Sequence, residues 1–220
     1  MDIKDILSCV DHTNLSVTAD WAAIRRTIDE GIKYGAASCC VPPSYVRDAV
    51  RYADRRIKIC TVVGFPNGYS TTDTKCYEAA NAIEAGAEEI DVVVNLGWVK
   101  DGRYADVLDE LRDLRYECKD VVLKVIIETS LLTDEEKVAM CHIVSEIGVD
   151  FIKTSTGFAG GGATVDDVNL LKNNIDGSVQ VKASGGISSI EDAEALINAG
   201  ASRLGTSKVI KSIAAAESEG

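Results

Sequence analysis

A chain of 220 residues, 46% hydrophobic and 26% charged, has the make-up of a globular protein with a substantial core, and its length predicts a single domain over residues 1–220. No apolar run approaches the roughly 18 residues of a membrane span, and the opening MDIKDILSCVDHTNL has no basic stretch before a long apolar core, so membrane insertion and export are not expected and a cytoplasmic site is. A formal charge of −12 argues against nucleic-acid and membrane surfaces, and it obliges any anionic ligand to be held by local groups.

A short N-terminal helix and a short strand near Cys9 to His12 are expected first. Trp21 to Tyr34 reads as an amphipathic helix after SVTAD, with Gly35 placed to stop it. The strand ASCCV follows, closed by Pro42-Pro43, then a helix from Ser44 to Ala53 and a strand from Ile57 to Val63 that ends at GFPNG. Thr71 to Ala85 is helical with Gly86 as its stop, EEIDVVVN a strand, Tyr104 to Glu117 a helix and VVLKVIIE a strand. Thr133 opens a helix through the capping-box pattern TDEE, and this helix ends at Gly148 before DFIK. Thr164 to Asn173, Ile190 to Ala199 and a last helix alternate with the strands SVQVKAS and SRLG.

Gly35, Gly86, Gly148 and Gly200 each stop a helix just before a short strand, and they fall about two strand–helix units apart. Counting the units between them gives eight strands and eight following helices. Short loops between alternating strands and helices mean a parallel sheet, and eight such units close most economically as a (β/α)8 TIM barrel. An open doubly wound sheet is the alternative.

Alternation along the strands sorts their faces. Ile90, Val92, Val94, Val125, Ile127, Ile152, Val179 and Val181 share the parity that should meet the helices. Asp91, Lys124, Glu128, Lys153, Gln180, Lys182 and Ser184 share the other, which in a barrel points to the centre. So many polar groups in one interior are costly unless paired, which suggests a site. Lys153 ends an apolar strand, and a buried amine is a Schiff-base candidate, although a snorkelling lysine uses the same pattern. Lys182, on the neighbouring strand, would crowd it, and two like charges in one small volume favour loss of a proton from one of them. Asp91 would be a carboxylate in the same cavity, as proton shuttle or as half of a structural ion pair. Lys124 and Glu128 suggest a partner pair along one strand.

Three glycine-bearing loops suit a phosphate. Gly185 and Gly186 follow the seventh strand, Gly205 and Ser207 sit at the end of the eighth, and Gly157 lies just after Lys153. In barrels the loops after strands seven and eight, with a helix N-terminus, form the usual phosphate cradle. Seven cysteines without CxxC spacing and only two histidines read as free thiols rather than a zinc site, and Cys40 as core rather than a reactive thiol.

The stretches DHTNL, CVPP, GFPNG, TKCYEAANAIEAGAEEIDVVVN, LKVIIET, DFIKTSTGF, VKASGGI and GTS, spread over positions 11 to 207, resemble the deoxyribose-phosphate aldolases, a class I aldolase family on a (β/α)8 barrel. The resemblance implies reversible cleavage of 2-deoxy-D-ribose 5-phosphate to acetaldehyde and D-glyceraldehyde 3-phosphate, with Lys153 as the Schiff-base lysine and Asp91 and Lys182 as a proton relay. It further implies no metal or organic cofactor, a small sugar phosphate as the only partner besides further copies of the chain, and a homodimer or larger homo-oligomer. The family often ends in a tail bearing a tyrosine; this chain ends IAAAESEG, which leaves the tail's contribution open.

Overall fold

The computed structural model describes residues 1–218, with side chains up to residue 214. The expectation about the tail falls mostly on positions beyond these side chains and so lies outside the described residues. The elements run α1 (Ile3–Ser8), β1 (Val10–Thr13), α2 (Trp21–Tyr34), β2 (Ser38–Cys40), α3 (Val46–Ala53), β3 (Lys58–Val63), α4 (Thr72–Glu84), β4 (Glu89–Val93), α5 (Leu96–Lys100), α6 (Tyr104–Glu117), β5 (Val122–Ile126), α7 (Asp134–Ile147), β6 (Phe151–Lys153), α8 (Val165–Asn174), β7 (Gln180–Ser184), α9 (Ile190–Asn198), β8 (Ala201–Thr206) and α10 (Lys208–Ser218). The strands pair in chain order, all parallel, and β1 closes on β8 through Val10 opposite Leu204. The fold is therefore the (β/α)8 barrel, not the open sheet.

Local chemistry sets the helix ends. Asp20, Thr71, Thr133, Thr164 and Ser189 each accept a backbone N–H of the helix they open, a contact typically worth ~1 kcal/mol. The capping box expected at Thr133 forms with Glu136. Gly35 and Gly148 cap α2 and α7 in the left-handed conformation. By contrast α4 and α9 end on Ala85 and Ala199, with Gly86 and Gly200 one residue further on. The helix expected from Ser44 is interrupted: Pro43–Tyr45 forms a single 3-10 turn, and the α-helix starts at Val46. The one-turn α5 was not legible as a helix; Asn95 Oδ1 caps it by accepting from Trp98 N at 3.3 Å.

The outward parity holds. Ile90, Val92, Val94, Val125, Ile127, Ile152, Val179 and Val181 are fully buried between barrel and helices; each such side chain withdrawn from water contributes ~1.5–3 kcal/mol. The inward parity holds for Asp91, Lys124, Lys153, Lys182 and Ser184, all buried. It fails at Gln180, which is exposed and accepts a hydrogen bond from Ser202 Oγ at 2.6 Å. Gln180 is the first residue of β7, so its side chain leaves through the N-terminal rim instead of entering the barrel.

Candidate active site

Parallel register brings the inward residues of neighbouring strands side by side. Asp91 on β4 lies opposite Lys124 on β5, and Lys153 on β6 lies opposite Lys182 on β7. Lys153 Nζ and Lys182 Nζ both donate to one oxygen, Asp91 Oδ2, at 2.7 Å each. The other oxygen, Oδ1, receives Lys124 Nζ at 2.9 Å and the Cys60 thiol at 3.2 Å. The two lysines expected to crowd each other therefore meet across a shared carboxylate, which offsets their repulsion.

Three further charged groups extend this cluster, and sequence reasoning missed them. Asp11 on β1 accepts from Lys182 Nζ at 2.5 Å, Arg203 Nη1 at 2.7 Å and Ser38 Oγ at 2.7 Å. Glu89 on β4 pairs with Lys124 at 2.6 Å and with Arg203 at 3.1 Å. Glu89 shares the parity of Asp91 and was readable by the same rule. Asp11 and Arg203 sit in VDHT and SRLG, too short and mixed for alternation to show a face.

Among the described residues, three carboxylates (Asp11, Glu89, Asp91) thus face four cationic side chains (Lys124, Lys153, Lys182, Arg203) inside the barrel. Burial alone would favour the neutral acid at Asp91, but Lys124, Lys153 and Lys182 hold its carboxyl well below the usual carboxylate range. Asp11 behaves alike: burial opposes its charge, and Lys182, Lys124 and Arg203 overcome it. At Lys182, burial is outweighed by Asp11 and Asp91, which keep the ammonium above the ordinary lysine range. Lys124 is raised for the same reason, chiefly by Asp91.

The expected pairing of Lys124 with Glu128 does not form. Lys124 turns to Glu89 and Asp91. Glu128 lies two residues beyond β5 in left-handed backbone, φ 51°, and its carboxylate accepts from Thr156 instead. Strand parity aims a side chain only while the backbone stays extended.

Above the cluster a cavity of about 340 Å³ opens at the C-terminal end of the barrel, with Lys153 in its lining. All five residues expected at a phosphate, Gly157, Gly185, Gly186, Gly205 and Ser207, line it too, whereas Asp91 and Lys182 lie beneath. Lys208 and Lys211 of α10 add two cations to the rim, and no periodic pattern marked them. Gly185 adopts φ 81°, a region costly for side-chain-bearing residues. Gly205 answers a different need: a Cβ there would stand 2.8 Å from Ser184 Cβ and 3.2 Å from Lys182 Cε.

Cys40 is core: it is buried beside Cys60 and Val62, with Leu15 and Phe65 against them. Cys40, Cys60 and Asp91 bring three donor atoms within 4.8 Å of one another. Asp91, however, already receives three ammonium groups, which makes this a poor place for a cation.

The family model for DeoC/LacD family aldolases matches residues 6–207. The chain belongs to that family. A deoxyribose-phosphate aldolase from Streptococcus pyogenes serotype M12 is 51% identical over 211 residues, spanning 96% of this chain and 95% of the relative. Among solved structures, the aldolase QR15 superposes with a TM-score of 0.91 at 37% identity, over 98% of each chain. The deoxyribose phosphate aldolase from Aeropyrum pernix, described as having a unique tetrameric structure, gives 0.90 at 32% identity, over 98% of this chain and 93% of that one. This DeoC/LacD family aldolase thus opens its cavity, with Lys153 in the lining, at the C-terminal face where barrel enzymes carry their chemistry, and its ionised cluster lies beneath. Among its described residues no helix is long and apolar enough to cross a membrane.

Proposed function

We propose that the chain cleaves 2-deoxy-D-ribose 5-phosphate reversibly to acetaldehyde and D-glyceraldehyde 3-phosphate, through a Schiff base on Lys153. The observation that carries the reading is the single oxygen, Asp91 Oδ2, that receives both Lys153 and Lys182 at 2.7 Å. The products fix the bond: two carbons leave as acetaldehyde and three as the triose phosphate, so the link between carbons two and three of the sugar breaks.

The free amine of Lys153 attacks carbon one of the open-chain aldehyde, and loss of water gives an iminium. Proton removal from the hydroxyl on carbon three then drives cleavage, and the iminium takes up the electron pair as an enamine. Asp91, held ionised by its three lysines, is the acceptor, directly or through one water, and Lys182 returns the proton when carbon two of the enamine becomes a methyl group. Water hydrolyses the resulting imine and frees acetaldehyde. The iminium is the electron sink, so the reaction calls for no metal or organic cofactor.

At the other end of the substrate, Gly157, Gly185, Gly186, Gly205 and Ser207, with the N-terminus of α10, offer the phosphate donors, and Lys208 and Lys211 supply cations against the overall charge of −12. Grip on this remote group positions the reacting carbons. Residues 1–220 work as one cytoplasmic barrel unit, assembled as a homo-oligomer; the tetrameric relative supports the assembly.

The test is reductive trapping. Borohydride with acetaldehyde should add one ethyl group to the chain, located by mass spectrometry on Lys153, and Lys153→Ala should lose both adduct and turnover. An adduct elsewhere, or turnover without one, would refute the mechanism.

A further inference from the structure

Glu128 is an outlier in three respects. It holds φ 51° and ψ 67°, a left-handed conformation rare for a side-chain-bearing residue. Its side chain is buried, 1% exposed, and one carboxylate oxygen, Oε1, has no hydrogen-bond partner among the described residues. Finally, it is an acid near the barrel mouth that takes no part in the network around Asp91. Strained, buried polar residues of this kind persist only where their surroundings hold them, and they gather at functional sites.

The backbone around Glu128 shows what holds it. Ile127 N donates to Lys153 O at 3.0 Å and Thr129 N donates to Thr154 O at 2.8 Å, so the chain just past β5 stays zipped to the end of the lysine strand on both sides of the kink. The left-handed turn between these two bonds directs the carboxylate along the loop that follows Lys153. There Oε2 accepts from Thr156 N at 3.0 Å and from Thr156 Oγ1 at 2.5 Å. Thr156 Oγ1 in turn accepts from Phe158 N at 3.0 Å. One carboxylate oxygen thus fixes both ends of the turn Thr156-Gly157-Phe158, whose three residues all line the cavity. Phe158, half exposed, meets Phe65 edge to face with 5.2 Å between ring centroids, so the same turn also sets one wall of the mouth.

We propose that Glu128 is a positioning residue for the aldol reaction. It acts through Thr156 to hold the Gly157 turn against the phosphate, and it leaves the chemistry at Lys153 untouched. The proposal rests on the phosphosugar reading of the cavity.

Glu128→Ala removes the acceptor, whereas Glu128→Gln keeps a carbonyl oxygen able to receive both Thr156 donors. Glu128→Ala is expected to raise KM for 2-deoxy-D-ribose 5-phosphate roughly 10- to 30-fold and to weaken inhibition by inorganic phosphate by the same factor, since a small misplacement of a clamp is expensive. Borohydride trapping of acetaldehyde, which needs no phosphate, should stay within about twofold of wild type. Glu128→Gln should restore KM and phosphate inhibition to within about threefold. Should Glu128→Ala not fold, Thr156→Val, which breaks the hydroxyl link to both Glu128 and Phe158, must show the same split between KM and trapping. Unchanged KM and phosphate inhibition in the alanine variant would overturn the proposal. So would loss of trapping in step with turnover, or a glutamine variant as impaired as the alanine one. If the wild-type chain itself neither traps acetaldehyde nor cleaves the phosphosugar, the functional reading fails first, and that outcome is distinct from all of these.

Discussion

Among the described residues, lysine is fully buried against carboxylate in two places, and the two behave in opposite ways. Inside the barrel, Asp11 and Asp91 each meet three cations, and the charged forms of these acids and lysines win over burial: the aspartates fall, and Lys124 and Lys182 rise. Outside it, Lys75 of α4 meets Glu110 of α6 at 2.8 Å and also donates to Val93 O at 2.9 Å. Here burial dominates, pushing the Lys75 ammonium down and the Glu110 carboxyl up, toward the neutral pair. The residue types match and both sites are buried, so the number of counter-charges decides. One partner does not repay desolvation; three do.

Removing the hub should break the contrast most sharply. Asp91→Asn leaves Lys124, Lys153 and Lys182 facing one another without their shared carboxylate. Turnover should fall by about 10³-fold or more, and stability in a denaturant titration by roughly 3–5 kcal/mol. A variant as stable as wild type would show that the cluster does not depend on that carboxylate.

The helix pair should respond differently. Lys75→Met alone strands a buried carboxylate and should cost roughly 3–5 kcal/mol, whereas Lys75→Met with Glu110→Leu should return to within about 1 kcal/mol of wild type, because a burial-dominated pair is replaceable by apolar packing. A double variant as unstable as the single one would put the pair on the same footing as the barrel cluster.

The smallest effect is on the pH dependence of stability. Asp11 is depressed in the folded state, so the unfolded chain binds more protons in the window below the ordinary carboxylate value, and the stability Asp11 contributes is lost as pH falls through that window. Glu110 is raised, so just above the ordinary value the folded state binds more protons, and the stability it contributes is lost as pH rises. Stability plotted against pH should flatten in the acid window for Asp11→Asn and gain upward slope in the higher window for Glu110→Gln. Slopes that change in the same sense would contradict the opposed shifts.

Much of this was legible in the sequence because strands keep a period of two. That rule found Asp91, Lys124, Lys153 and Lys182 and aimed them at one centre, while the glycine loops after β6, β7 and β8 marked the cavity rim. It failed wherever the backbone stops being an extended strand of readable length. Glu128 has the right parity but a left-handed backbone, and Gln180 sits at a strand's first residue, where inward means outward to solvent. Asp11 and Arg203 occupy strands whose few residues show no alternation. Lys75 and Glu110 lie on different helices and meet only through tertiary packing, for which no local pattern exists.

The seam between the first and last strands has a consequence for how the chain is made. Asp11 emerges early in synthesis, yet two of the cations that neutralise it, Lys182 and Arg203, lie 171 and 192 positions later. A nascent chain lacking its final two strands would leave Asp11 with Lys124 alone, at 3.7 Å, and β1 without the strand it closes on, so the ring of strands stays open until synthesis is nearly finished.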